Sequence, residues 1–202
     1  MLHYIPIDLP KINIPNNFLE SKKAKELFTK THSPYTGFHF IPFPFYSEKW
    51  NEEFLMEWQF LKDYITINLP FIKIVFVRIS FQTENVGIHL DSSQINNPKS
   101  PNFNNNLSEH YNKQIFPYGY RILLKGNKNS LKLFSNNNNK AFQAIIPETT
   151  NCYCINSFKT KHSVEKDNDR CIVFIHGWLD QEKHNYLINK SIKKYQKYII
   201  SF

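Results

Sequence analysis

Val86-Gly87-Ile88-His89-Leu90-Asp91 alternates in character residue by residue, and the fold turns on how this stretch is read. A period of two is the pattern of a strand with two different faces: Val86, Ile88 and Leu90 on one, Gly87, His89 and Asp91 on the other. His89 and Asp91 then point the same way, roughly 6.5–7 Å apart along the strand. An imidazole and a carboxylate side by side on one rigid element are two thirds of a metal site. The competing interpretation is a surface histidine next to a strand-ending aspartate, and the rest of the chain has to decide between them.

Working outward, the residues after Phe71 keep this strand-like character. Ile72–Ser80 is a β-branched run, and Tyr118–Lys125, Leu131–Ser135, Ala141–Ile146, Cys152–Phe158 and Arg170–Trp178 follow, with polar turns such as Gly126-Asn127 and Asn136–Asn139 between strands. The polar segment 92–116 is a long loop of the kind that usually has a function or lacks order. Before Phe71 the pattern is helical. A short helix is predicted from Asn16 or Asn17 to Phe28, and a second from Glu48 to about Ile65, with Trp50, Phe54, Leu55, Trp58 and Leu61 forming a core-packing stripe. A last helix is expected from Asp180 to about Ile200. Helices first, then about seven short strands, describe an α+β domain whose strands form a sandwich or jelly roll.

The 202 residues are expected to form one domain, with an N-terminal helical and extended region over 1–70, a β core over 71–178 and a C-terminal helix over 179–202. Phe 18, Tyr 11 and Trp 3 against only five glycines suit a β-rich fold and argue against wholesale disorder. Cys152, Cys154 and Cys171 are an odd set without CxxC spacing, so neither a disulfide framework nor a cysteine zinc site is indicated. No signal peptide or transmembrane run is evident, and a reduced, soluble, cytoplasmic protein is expected, with no membrane partner. The net charge of +8 comes almost entirely from scattered lysines, which does not favour a nucleic-acid partner. Arg78, Arg121 and Arg170 are the only arginines, and in such a chain each is expected where a planar, bidentate fork is needed.

His162 supplies a third ligand at the end of a predicted strand, and a short turn separates it from the strand that begins at Arg170. Arg170, Ile172, Phe174 and His176 share one face of that strand, so His162 and Arg170 are expected near one another on the inner side. Two histidines and one carboxylate with positions left open form the facial set that suits non-haem Fe(II). Zinc would take the same ligands but would leave the arginine without a task.

His89-Leu90-Asp91, a distal His162 and a following Arg170 resemble the HxD…H…R pattern of the Fe(II)/2-oxoglutarate-dependent oxygenases, in the same order. The resemblance covers residues 71–178. The run from Lys161-His162-Ser163-Val164 to Asp169-Arg170-Cys171-Ile172-Val173-Phe174-Ile175 looks most like the aspartyl/asparaginyl and amino-acid hydroxylase branch. It implies a double-stranded β-helix, or cupin-like jelly roll, buttressed by the N-terminal helices. It also implies Fe(II) on His89, Asp91 and His162, 2-oxoglutarate as co-substrate, O₂ as oxidant, and succinate and CO₂ as co-products. Arg170 is the partner implied for the far carboxylate of 2-oxoglutarate. The interval from His162 to Arg170 is shorter than is common in the family, and Arg121 is the rival, with Tyr118 and Tyr120 in the same segment as further co-substrate contacts. Retention of the Asp91 carboxylate favours hydroxylation or desaturation over halogenation.

The resemblance implies an amino-acid side chain, free or in a peptide or protein, as substrate, with Asn156, His110 and His176 as candidate contacts. A lack of spare arginines argues against a clamp for a strongly acidic substrate. Cys152 and Cys154 are expected on the face of His162 as inert packing. Two other functions compete: a cupin-like metal- or ligand-binding module without oxidative chemistry, and an oxygenase acting on nucleic acid. Neither the substrate nor the oligomeric state can be read from the sequence.

Overall fold

The computed structural model describes residues 2–15, 32–33, 37–43, 47, 49–82, 84–91, 119–135, 140–157, 159–166 and 170–202. The predicted helix from Asn16 or Asn17 to Phe28, the loop 92–116 with His110, and Tyr118 lie outside these residues. In chain order the elements are β1 (Leu2–Pro6), β2 (His32–Ser33), β3 (Gly37–Phe43), α1 (Glu52–Asn68), β4 (Phe71–Gln82), β5 (Val86–His89), β6 (Gly119–Lys125), β7 (Leu131–Phe134), β8 (Ala141–Gln143), β9 (Cys152–Ile155), β10 (Lys161–Val164), β11 (Arg170–Leu179), α2 (Gln181–Tyr195) and β12 (Ile200–Ser201).

The strands form two sheets. The larger runs β12-β1-β9-β6-β11-β4-β3-β2 and the smaller β5-β10-β7-β8. Every pairing among the described strands is antiparallel. From β4 onward the chain passes repeatedly between the sheets: β4, β6, β9 and β11 belong to the larger, β5, β7, β8 and β10 to the smaller. Gly126, with φ 109°, makes the left-handed turn between β6 and β7, a conformation that a side chain would resist.

Alternation along the strands gives the larger sheet two apolar faces. Tyr120, Ile122, Leu124, Cys152, Cys154, Cys171, Val173 and Ile175 pack in one cluster with Phe54, Trp58, Leu61 and Ile65 of α1. The opposite parity, Leu123, Tyr153, Ile155 and Ile172, joins Leu131 and Leu133 of the smaller sheet in a second cluster. The helix therefore covers the outer face, and the inner face closes against the small sheet. Burying the aromatic stripe on α1 removes large apolar areas from water, about 25 cal/mol per Å². Rings of Trp50, Phe54 and Trp58 stack in succession, with centroids 5.4 and 5.6 Å apart.

Several expectations need correcting. The second helix starts at Glu52, not Glu48, because the Asn51 side chain accepts from the Glu53 N–H and caps it, while Ser47 spends its hydroxyl on Lys49. The final helix stops at Tyr195. The chain turns at Asn156–Thr160, earlier than expected, so His162 lies inside its own strand, β10, and that strand belongs to the other sheet. β10 and β11 thus face each other rather than forming a hairpin. The same crossing breaks the parity assumed between β9 and His162. Cys152 and Cys154 point to the helix-covered face and are buried free thiols.

Truncating the stripe tests this layering. Trp58 is wholly buried, and Trp58→Ala is expected to cost about 3–5 kcal/mol, read as a lowered midpoint in chemical denaturation.

Candidate metal centre

His89 ends β5, which is paired to β10 with His162 opposite His89 and Val164 opposite Val86. Three steps on β5 thus match two on β10, a bulge that turns Val86 and His89 to the same side. Ile88, on the face opposite His89, is 59% exposed. Asp91 lies beyond the strand, its N–H donating to the Ser157 carbonyl at 3.1 Å. Departure from the strand brings its carboxylate to 3.5 Å from His89 Nε2, much closer than alternate residues of a straight strand would allow.

His162 approaches from the neighbouring strand, with Nε2 3.7 Å from the same Asp91 oxygen, Oδ1. The two imidazole centroids are 4.2 Å apart. One ligand atom from each of His89, Asp91 and His162 falls within a 4.8 Å cluster. Both histidines are oriented in the same way. His89 Nδ1 lies 2.8 Å from the Gly87 carbonyl and His162 Nδ1 3.0 Å from the Thr160 carbonyl. A carbonyl only accepts, so in the neutral rings each Nδ1 carries the proton and each Nε2 presents a lone pair to the common centre.

The electrostatics fit the same arrangement. Burial pushes His162 down to about 4, keeping its ring neutral near neutral pH. Burial alone would raise Asp91, but its close neighbours His162, His89 and the Arg121 guanidinium outweigh it and hold the carboxyl well below its usual range. Arg121 donates to Asp91 Oδ2 at 3.0 Å, leaving Oδ1 turned to the histidines. A preoriented pair of imidazoles facing an ionised carboxylate is a donor set suited to a divalent transition metal, with coordination positions left over.

The pocket around this cluster is lined by Arg78, Ser80, Gln82, Tyr153, Arg170, Ile172 and Phe174 from the larger sheet and by Val86, His162 and Val164 from the smaller, with His89, Asp91 and Arg121 completing it. Arg170 is almost wholly buried. It donates through Nη1 to Gln82 Oε1 and through Nη2 to the Tyr153 hydroxyl at 3.2 Å. Both partners are neutral, and among the described residues no carboxylate balances it. Its Nε is buried without a partner.

Other candidates fall elsewhere. Tyr120 belongs to the outer face, where its hydroxyl meets His184 Nδ1 at 2.8 Å, so it is no wall of this pocket. His176 sits past Phe174 along β11, tilted against Phe76 at 6.3 Å; it is not among the pocket's lining residues, and burial pushes it down to about 4. Asn156 is buried where the chain leaves β9, its N–H donating to the His3 carbonyl. Arg78 was missed as a site residue because it sits within the β-branched run of β4. Its parity with Ser80 and Gln82 was the available signal.

No protein-family model matches the chain, and no curated protein matches it. Solved structures similar to it include an oxidoreductase of the 2OG-Fe(II) oxygenase family from Burkholderia pseudomallei, at TM-score 0.39 and 11% identity, covering 79% of this chain and 79% of that one. Another is a prolyl hydroxylase from Trichoplax adhaerens in complex with a hypoxia inducible factor oxygen degradation domain peptide fragment, at TM-score 0.37 and 13% identity, covering 85% and 84%. Among the described residues no helix is long and apolar enough to cross a membrane.

Two outcomes are expected of the metal-free and metal-loaded protein. Mn(II), a stand-in for ferrous ion, is expected to raise the thermal midpoint of the wild type, and His162→Ala to abolish that shift. Without metal, stability is expected to be full above about pH 6.5 and to decline as pH falls towards 4. The unfolded chain takes up protons there while buried His162 and His176 resist them. Denaturation midpoints across that range check the sign, and His176→Gln should flatten the slope.

Proposed function

We propose that this chain is an Fe(II)- and 2-oxoglutarate-dependent oxygenase that hydroxylates an amino-acid side chain, free or in a peptide or protein. The observation that carries the proposal is the convergence of His89, Asp91 and His162 in a pocket whose far wall holds a buried Arg170 with no counter-charge among the described residues. The strand order supports a double-stranded β-helix core over residues 71–178, since consecutive strands interleave two facing antiparallel sheets.

In this proposal His89 Nε2, His162 Nε2 and one Asp91 oxygen hold Fe(II). The bound metal and 2-oxoglutarate supply the oxidising chemistry, consuming O₂ and releasing succinate and CO₂. The chain's own residues perform placement. Arg170 offers a guanidinium fork to the far carboxylate of the co-substrate, held at its angle by Gln82 and Tyr153. Arg121 is spent on Asp91, which favours Arg170 over its rival for the co-substrate. Arg121 instead keeps the ligand carboxylate ionised and aimed. Ile172 and Val164 line the pocket between the two sheets and limit water beside the metal. A carboxylate at position 91, where halogenating relatives lack one, favours oxygen insertion.

The test is Fe(II)-dependent conversion of 2-oxoglutarate to succinate. His89→Ala, Asp91→Ala and His162→Ala are each expected to abolish it. Arg170→Gln is expected to leave metal binding intact and to raise the KM for 2-oxoglutarate by about 10–100-fold, as for loss of a charged hydrogen-bonded pair. A wild type that binds metal but forms no succinate with any divalent ion would leave a cupin-like binding module instead.

A further inference from the structure

Arg78 occupies the inner face of β4, opposite Phe174 of β11, and Arg121 of β6 is paired to Phe174 from the other side. Both guanidinium carbons stand over the Phe174 ring, at 4.4 Å for Arg78 and 4.9 Å for Arg121. Arg121 is engaged by Asp91, whereas Arg78 makes no hydrogen bond or ion pair among the described residues. Its Nε is fully buried without a partner, as is the hydroxyl of Ser80, two residues along the same face. Arg78 thus presents a second guanidinium to the pocket, its only counter-charge among the described lining residues being the Asp91 carboxylate that Arg121 already engages, and the expectation of a pocket without spare arginines does not hold.

The charge balance sharpens the point. The pocket lining contains three guanidinium groups and one carboxylate, a surplus of two positive charges. A ferrous ion and a doubly ionised 2-oxoglutarate cancel one another and leave that surplus unchanged. Charged groups removed from water demand partners or hydrogen bonds. Position separates the roles. Asp91 fixes the metal cluster beside Arg121, on the cross-strand row that holds Phe174 and Arg78, whereas Arg170 lies four residues away along β11. An extended co-substrate running from the metal to Arg170 leads away from Arg78, which faces the side left for the molecule to be oxidised.

We infer that Arg78, with the Ser80 hydroxyl beside it, docks an oxyanion carried by the substrate itself, an inference that rests on the oxygenase reading for the identity of that molecule. A free amino acid meets the requirement through its carboxylate, and a phosphorylated substrate meets it with the same chemistry.

The test uses simple probes on the full chain loaded with Mn(II) and 2-oxoglutarate, which occupies the Arg170 subsite. Acetate, inorganic phosphate and neutral acetamide are titrated at constant ionic strength and followed by NMR shifts and calorimetry. Acetate or phosphate is expected to bind at one saturable site and acetamide not at all, and the tighter anion identifies the substrate's group. Arg78→Met, which keeps the apolar stem against Phe174, is expected to weaken that binding by about tenfold or more, the loss typical of a charge-assisted hydrogen bond. Arg78→Lys should recover part of it. Equal anion binding by Arg78→Met and wild type, or no saturable binding by either, would overturn the inference. Repeating the titration without metal and co-substrate separates the two readings. An Arg78-dependent anion site in a chain that binds neither Mn(II) nor 2-oxoglutarate keeps the site and removes the oxygenase. Binding of both without an Arg78-dependent site does the reverse.

Discussion

The Asp91 carboxylate carries more of the site than any other group. One oxygen faces two imidazole nitrogens at 3.5 and 3.7 Å and the other accepts from Arg121 at 3.0 Å. These contacts tie together three elements that the sequence separates widely: the end of β5, the middle of β10 and the inner face of β6. Asp91 can reach all of them because it has left the strand, its backbone held by the Ser157 carbonyl in the turn that sends the chain towards β10. The bulge between β5 and β10 then brings His89 round to the same side. Straightening either feature would turn one ligand away from the other two.

The larger sheet makes this placement durable by dividing its labour by parity. Outward residues of β6, β9 and β11 are apolar and lie under α1, where Trp58 and Phe54 bury large areas. Inward residues of the same strands include Arg121, Tyr153, Arg170 and Phe174. The stability that the outer face contributes offsets the cost of holding polar and charged groups inside. A polar interior of this kind needs a sheet covered on its other side, which explains why the aromatic stripe on α1 belongs to the same account as the candidate metal ligands.

Strand alternation made much of this legible in the sequence. The alternating stretch singled out His89 and Asp91, whose ligand atoms cluster with that of His162, although in a geometry that differs from a straight strand: the strand ends at His89 and Asp91 lies beyond it. His162 and Arg170 were recognisable from their order and from the parity of Arg170 with Ile172 and Phe174. Three things were beyond a local pattern. The chain crosses between sheets after Asn156, so parity counted along β9 could not predict the faces of Cys152 or Cys154 relative to His162. A helix start at Glu52 rather than Glu48 depends on which side chain, here Asn51, reaches the first free N–H groups. Arg78 reads as one polar residue in a hydrophobic run until β4 is paired with β11.

The division between lysine and arginine follows from the same physics. Lysines supply most of the net charge, whereas all three arginines line one pocket between the sheets. An ammonium in that setting would shed its proton readily, because desolvation penalises the charged form and its pKa starts lower. A guanidinium keeps its charge: burial and the neighbouring Arg121 act against it and the Asp91 carboxylate supports it, and Arg78 is pushed down only to about 10. Its planar group also rests on an aromatic face, as Arg78 and Arg121 do on Phe174, and still leaves hydrogen-bond donors along its edge for an anion. A permanent positive charge that can be stacked, half-buried and left unpaired until an anion arrives is a property lysine cannot match. The confinement of arginine to this pocket concentrates permanent positive charge between the two sheets, where it supports the proposed binding of anions.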